Sequence, residues 1–120
     1  MERVSVKLVV FKHPEPARWD DYASYCPATH NCCARGKSVA EVITYFEKML
    51  IRELENRMFF DNFKNWGWEV SENSAKPPIF AEEYLISETE RIFEVKIKDP
   101  LIITVDVELP KSRKTIGVRT

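Results

Sequence analysis

The sequence has no surplus of charge of either sign. Eighteen lysines and arginines stand against nineteen aspartates and glutamates, a formal net charge of -1. A chain whose main work was gripping phosphates would be basic overall, so only local patches remain for that role. Long apolar runs are missing too, and no segment approaches the roughly 20 apolar residues that cross a bilayer. The opening Met1-Glu2-Arg3-Val4 passes straight into an alternating pattern, without the basic leader, apolar stretch and small-residue cleavage site of a secretory signal. A cytoplasmic location with no membrane partner is the expectation. Cysteine is scarce and odd in number: Cys26, Cys32 and Cys33 crowd into one short stretch. That is a poor disulfide framework, and adjacent cysteines rarely bond each other because the ring is strained. Reduced thiols fit better.

What is present is enough for one core. With 120 residues, 44% of them hydrophobic and 31% charged, the chain suits a single domain spanning residues 1–120. A domain of this size hides roughly two-thirds of its unfolded surface, so it should fold without disulfides or metal.

The pattern along the chain predicts an α+β fold. Val4, Val6, Leu8 and Val10 alternate with Ser5 and Lys7, the period of a strand with one buried face. His13-Pro14-Glu15-Pro16 breaks it, since two prolines so close do not sit in a central strand. Residues 19–25 form the expected second strand, and residues 32–35 a short third. The connections are too short for crossovers, so the three make an antiparallel meander. Ser38 is a good helix N-cap and Glu41 stands three residues on, the signature of a capping box. Val39, Val42, Ile43, Phe46, Met49, Leu50 and Leu54 then mark one helical stripe. This long amphipathic helix is expected to run to about Asn65, with Gly67 as its stop. Residues 68–70 read as a short strand, 71–78 as a flexible polar loop, and 79–86 as either a helical turn or an extended piece. Residues 92–97 and 101–109 both alternate around Asp99-Pro100, which predicts a C-terminal β-hairpin. The tail, 111–120, carries Lys111, Arg113, Lys114 and Arg119 with no acid among them.

The motifs that could carry chemistry all have a plainer reading. Cys26, His30, Cys32 and Cys33 are four soft ligands in eight residues. Neighbouring strand residues point to opposite faces, so Cys32 and Cys33 would diverge, and no metal is expected. Thiol catalysis needs a base and an orienting group, and only His13 and His30 are on offer. Asp20-Asp21 reads as a solvated edge that discourages stray strand pairing. No cofactor and no catalytic residue is expected, so the chain does not read as an enzyme. Trp19, Tyr22 and Tyr25 are the candidate partner-binding residues, because large amphipathic rings dominate interface hot spots. Lys111, Arg113, Lys114 and Arg119 are the candidate nucleic-acid contacts.

The stretch from Trp19 to Leu54 resembles the HicB-like antitoxins. The carrying residues are Tyr25, Cys26, Pro27, Cys32, Gly36, Ser38 and Glu41: a strand end before Cys-Pro, a turn to a cysteine, a glycine, a capped helix. Trp66-Gly67-Trp68-Glu69-Val70 followed by Pro77-Pro78 is also similar to the family's stretch after the helix. The resemblance implies a three-stranded meander with one long helix across it, like a truncated ribonuclease-H-like layer. It also implies a function: an antitoxin that masks a small toxin ribonuclease by steric contact. Many such antitoxins end in a DNA-binding module, but the ten residues after Pro110 leave no room for two helices, so direct DNA binding is not expected. The alternative is a stand-alone homodimer or higher homo-oligomer with no toxin, built through the strands of the C-terminal hairpin.

Overall fold

The computed structural model describes residues 3–13, 21–29, 33–55, 60–71 and 74–109 of the chain. In order, its elements are β1 (Arg3–Lys12), β2 (Tyr22–Tyr25), β3 (Arg35–Gly36), α1 (Val39–Glu55), α2 (Phe60–Asn65), β4 (Glu69–Val70), β5 (Ala75–Lys76), α3 (Glu82–Phe93) and β6 (Leu101–Glu108). The architecture is α+β. Four strands form one antiparallel sheet in the order β3-β2-β1-β6, and β4 and β5 make a separate two-stranded ribbon.

β1 explains the layering. In its first half Val4 and Val6 are buried while Arg3, Ser5 and Lys7 are exposed. From Leu8 to Phe11 every residue is buried, which requires cover on both faces of the sheet. On one face lies α1. Its buried residues Val42, Phe46, Leu50 and Leu54 recur every fourth position and pack with Val4, Val6, Leu8 and Val10 of β1 and Val105 and Val107 of β6. On the other face lies α3, where the Phe93 ring meets Phe11 edge-on at 5.1 Å. Val9 pairs with Tyr25 and Phe11 with Ala23, so these four residues share the face that α3 covers. Past the reach of α3 that face is polar. There Ser5 Oγ donates to Asp106 Oδ1 at 3.0 Å, and Lys7 Nζ to Thr104 Oγ1 at 2.9 Å.

Both ends of the α1–α2 stretch are closed by local chemistry. Ser38 Oγ accepts from the Glu41 N–H at 3.1 Å, as a capping box requires. The Glu41 carboxylate, however, accepts from the Lys37 N–H at 2.8 Å. At the far end Gly67 adopts φ +96, the left-handed region open to glycine. The Trp68 N–H reaches the Phe63 carbonyl at 3.0 Å and the Gly67 N–H reaches that of Lys64 at 3.1 Å. These two bonds are a Schellman motif, and the apolar contact that accompanies it is present as well: Phe63 and Trp68 stack at 4.9 Å.

Several expectations change. The C-terminal β-hairpin does not form. Its first arm is the end of α3 and the turn that follows, and its second arm, β6, pairs with β1 along Arg3–Val10. The sheet therefore has four strands rather than three. The reason lies in the backbone donors of the supposed first arm. The Val95 N–H returns to the Glu90 carbonyl at 3.3 Å, and the Ile97 N–H to the Glu90 carboxylate at 2.8 Å. With Glu94 left-handed at φ 57, the chain folds back on its helix. Within the expected loop at 71–78, Ala75–Lys76 pairs with β4. The long helix is seen as α1 and α2, with 56–59 outside the described residues. Of the alternatives for 79–86, helix holds from Glu82 onward. No helix among the described residues is long and apolar enough to cross a membrane.

Candidate functional site

The cysteine-histidine motif is in part scaffold. Cys26 is fully buried in the main core, and burial pushes its thiol above the ordinary range, so at neutral pH it stays protonated. Cys33 is exposed, and both are free thiols. His30 and Cys32 lie outside the described residues. Among the described residues no group of three or more potential ligands is placed to hold a metal ion.

The three aromatic candidates have different fates. Tyr25 is only 3% exposed, so it lies in the interior beneath α3 rather than on a partner surface. Burial, followed by the nearby Glu88 carboxylate, pushes its hydroxyl up to about 12. Tyr22 is half-buried and keeps some surface, while Trp19 falls outside the described residues. So do the basic candidates Lys111, Arg113, Lys114 and Arg119.

Two further surfaces carry no sequence motif and emerge only from the fold. The first is a cleft of about 590 Å³ at the end of the sheet where β1 finishes. Val10 pairs with Leu101 and Lys12 with Tyr22, so these four share the sheet face beneath α1. The buried stripe of α1 begins only at Val42, which leaves this corner of the sheet without a roof. Val10, Phe11, Tyr22, Val39 and Leu101 make the apolar lining. Lys12, His13, Lys96, Lys98 and Asp99 make the polar one. Three lysines against a single aspartate leave a positive field there, and none of the three is in an ion pair among the described residues.

The second surface is α3 and the segment that leads into it. Glu82, Glu83, Glu88 and Glu90 lie on the helix and Glu94 caps it, while Arg91 is its one cation and is bound to Glu88. Glu82, Glu83 and Glu94 are exposed, and on the same helix Tyr84 and Ile92 are 45% and 41% exposed, with Ile79 just upstream 97% exposed. The Phe80 and Tyr84 rings stand 4.9 Å apart, so the apolar residues extend from the approach segment onto the helix. The sequence holds the signal for this surface as a run of acids around Tyr84 and Ile92, but the run becomes readable only once the stretch is known to be helical.

No protein-family model, no curated protein and no solved structure matches the chain.

Proposed function

We propose that this chain is a binding protein with no chemistry of its own: a HicB-like antitoxin that covers the RNA site of a small toxin ribonuclease. The observation that carries the reading is the surface of α3. It carries an excess of carboxylates, with Glu82 and Glu83 exposed in its first turn, and it exposes Tyr84 and Ile92, with Ile79 just upstream. A ribonuclease must attract phosphates, so the surface around its active site is basic. An acidic helix with exposed rings and aliphatic groups complements such a surface, the charges steering the approach and the apolar groups holding it. The described residues of the motif sit at a strand end, a turn and a helix entry. Tyr25 ends β2, Cys26 and Pro27 are buried at the turn, and Gly36, Ser38 and Glu41 build the entry to α1.

Co-expression with the product of the adjacent gene tests the reading. The expected result is a stable complex and relief of that product's toxicity. A non-toxic neighbour, or a toxic one that neither binds nor is neutralised, would sink it.

A second reading has one observation in its favour. β6 is an edge strand of eight residues with a sheet neighbour on one side only among the described residues. Free backbone donors and acceptors of that length suit pairing with a second copy. Light scattering across a range of concentrations should then show a dimer, and a monomer throughout would dismiss it.

A further inference from the structure

We infer that the cleft at the end of β1 is a binding site for a nucleoside phosphate, either free or carried at the end of an RNA strand. This does not rest on the antitoxin reading. It starts from a mismatch between the molecule and its corner. The whole chain is slightly acidic, yet the cleft gathers three lysines against one acid. They come from separate places: Lys12 from the end of β1, Lys96 and Lys98 from the turn after α3. The fold alone explains why these segments meet, because β6 returns beside β1, but not why both deliver cations. All three are exposed, so none holds the core together.

The shape limits the ligand further. A volume of about 590 Å³ falls in the range of small-molecule sites. Inorganic phosphate alone would leave most of it empty. The lining is divided by chemistry, with Val10, Val39 and Leu101 offering an apolar wall and Tyr22 an aromatic ring beside it. A base stacks on such a ring whatever its identity, because every base has a π-face. The lysine ammonium groups, on flexible stems, are point charges that suit a phosphate. Asp99 supplies an acceptor for a sugar hydroxyl or an exocyclic amine. Leu101 is 47% exposed, a large apolar side chain at the start of β6 that a bound ring would cover.

Titration calorimetry on the full chain tests this with four probes: adenosine monophosphate, adenosine, inorganic phosphate, and a short single-stranded RNA with a 5′-phosphate. The monophosphate should bind saturably, about ten-fold or more tighter than either adenosine or phosphate, since each of those engages only one half of the cleft. Replacing the lysines together (Lys12→Gln, Lys96→Gln, Lys98→Gln) should weaken it by about ten-fold or more, while Lys64→Gln on α2 leaves it unchanged. If the RNA competes with the monophosphate, the strand end is the ligand. The slope of its affinity against salt should then be shallower in the lysine variant, by roughly 0.7 for each phosphate the variant fails to neutralise. If the RNA does not compete, the free nucleotide is the ligand. Amide shifts of the unmutated protein give a second measurement, with changes expected at residues 10–13, 22, 39 and 96–101. The inference is overturned if no probe binds saturably, if phosphate binds as tightly as the monophosphate, if the lysine variant binds unchanged, or if the shifts fall elsewhere.

Discussion

Ser24 shows how much one side chain can carry at the residue scale. It is fully buried on β2, and its hydroxyl both donates to the Ala34 carbonyl at 2.9 Å and accepts from the Ala34 N–H at 3.1 Å. β3 is only two residues long, so this hydroxyl extends the pairing of β2 with the chain just before it. Ser24→Ala leaves a buried donor and a buried acceptor unmet. The expected loss is about 2 kcal/mol by denaturant titration, whereas a loss below about 0.5 kcal/mol would mean that water replaces the hydroxyl. Nothing in the sequence distinguishes Ser24 from any polar strand residue, because its partner is ten positions away and is a backbone group. Tyr25 beside it is legible as a large ring but not as an interior one. Its hydroxyl titrates near 12 rather than 10, because burial first and Glu88 second disfavour the phenolate. A folded value above the unfolded one gives stability that is whole below pH 10 and is lost as the pH climbs through about 12. Tyr25→Phe should flatten stability against pH in that window, followed by urea titrations at several alkaline pH values. An unchanged slope would assign the alkaline loss to other groups.

At the scale of elements, the legible pieces are those whose signals are local. The α1 stripe follows from spacing alone, Ser38 and Gly67 from cap chemistry alone, and the strand period of β1 from its first half. The end of α3 is not legible for an equally local reason. Phe93, Val95 and Ile97 are half-buried while Glu94 and Lys96 are exposed, so the strand-like alternation is real. What the pattern does not carry is where the amide hydrogens go, and two of them go back to Glu90. Glu94 takes the left-handed conformation there without being glycine, which costs an L-residue about 1–2 kcal/mol. Gly67 holds a comparable position with no such cost. A Cβ added at Gly67 would meet Pro78 at an ordinary 3.5 Å, so the penalty for Gly67→Ala is conformational rather than steric. The two caps therefore predict opposite signs. Glu94→Gly should stabilise by about 0.5–1 kcal/mol after the added freedom of the unfolded chain is counted, and Gly67→Ala should destabilise by about 1 kcal/mol. Thermal melts of both variants decide it. A destabilised Glu94→Gly would show that the Glu94 side chain contributes more than its backbone costs.

For the whole molecule, a net charge of -1 conceals two surfaces of opposite sign. Near-neutrality argues against a steering field for the sum of the charges, but not for the parts. The acids lie on α3, while two of the cleft lysines, Lys96 and Lys98, follow it directly in the turn and the third, Lys12, comes from the end of β1. The second layer that α3 supplies departs from the single buried face that the sequence pattern of β1 predicts, because Leu8-Val9-Val10-Phe11 is buried throughout and has cover on both faces. Its source stays hidden there because the covering helix lies far along the chain. This separation of charge yields a kinetic prediction for the proposed complex. Exposed acids on α3 act at long range, so they should govern how fast a basic partner arrives more than how long it stays. Glu82→Gln with Glu83→Gln should slow association by several-fold, on the order of two- to ten-fold, with dissociation nearly unchanged. The same variant should lose most of the salt dependence of the association rate, since exposed charges beyond a Debye length are screened. Both glutamates lie in the first turn of α3, where they also favour the helix dipole, so the variant loses about 0.5 kcal/mol of stability per residue, too little to unfold the domain. Tyr84→Ala provides the contrast, because an exposed ring acts only on contact and should speed dissociation while leaving association alone. Stopped-flow association at two ionic strengths separates the cases. If both variants change only the dissociation rate, the acids of α3 do not face the partner during approach, and the binding surface lies elsewhere on the molecule.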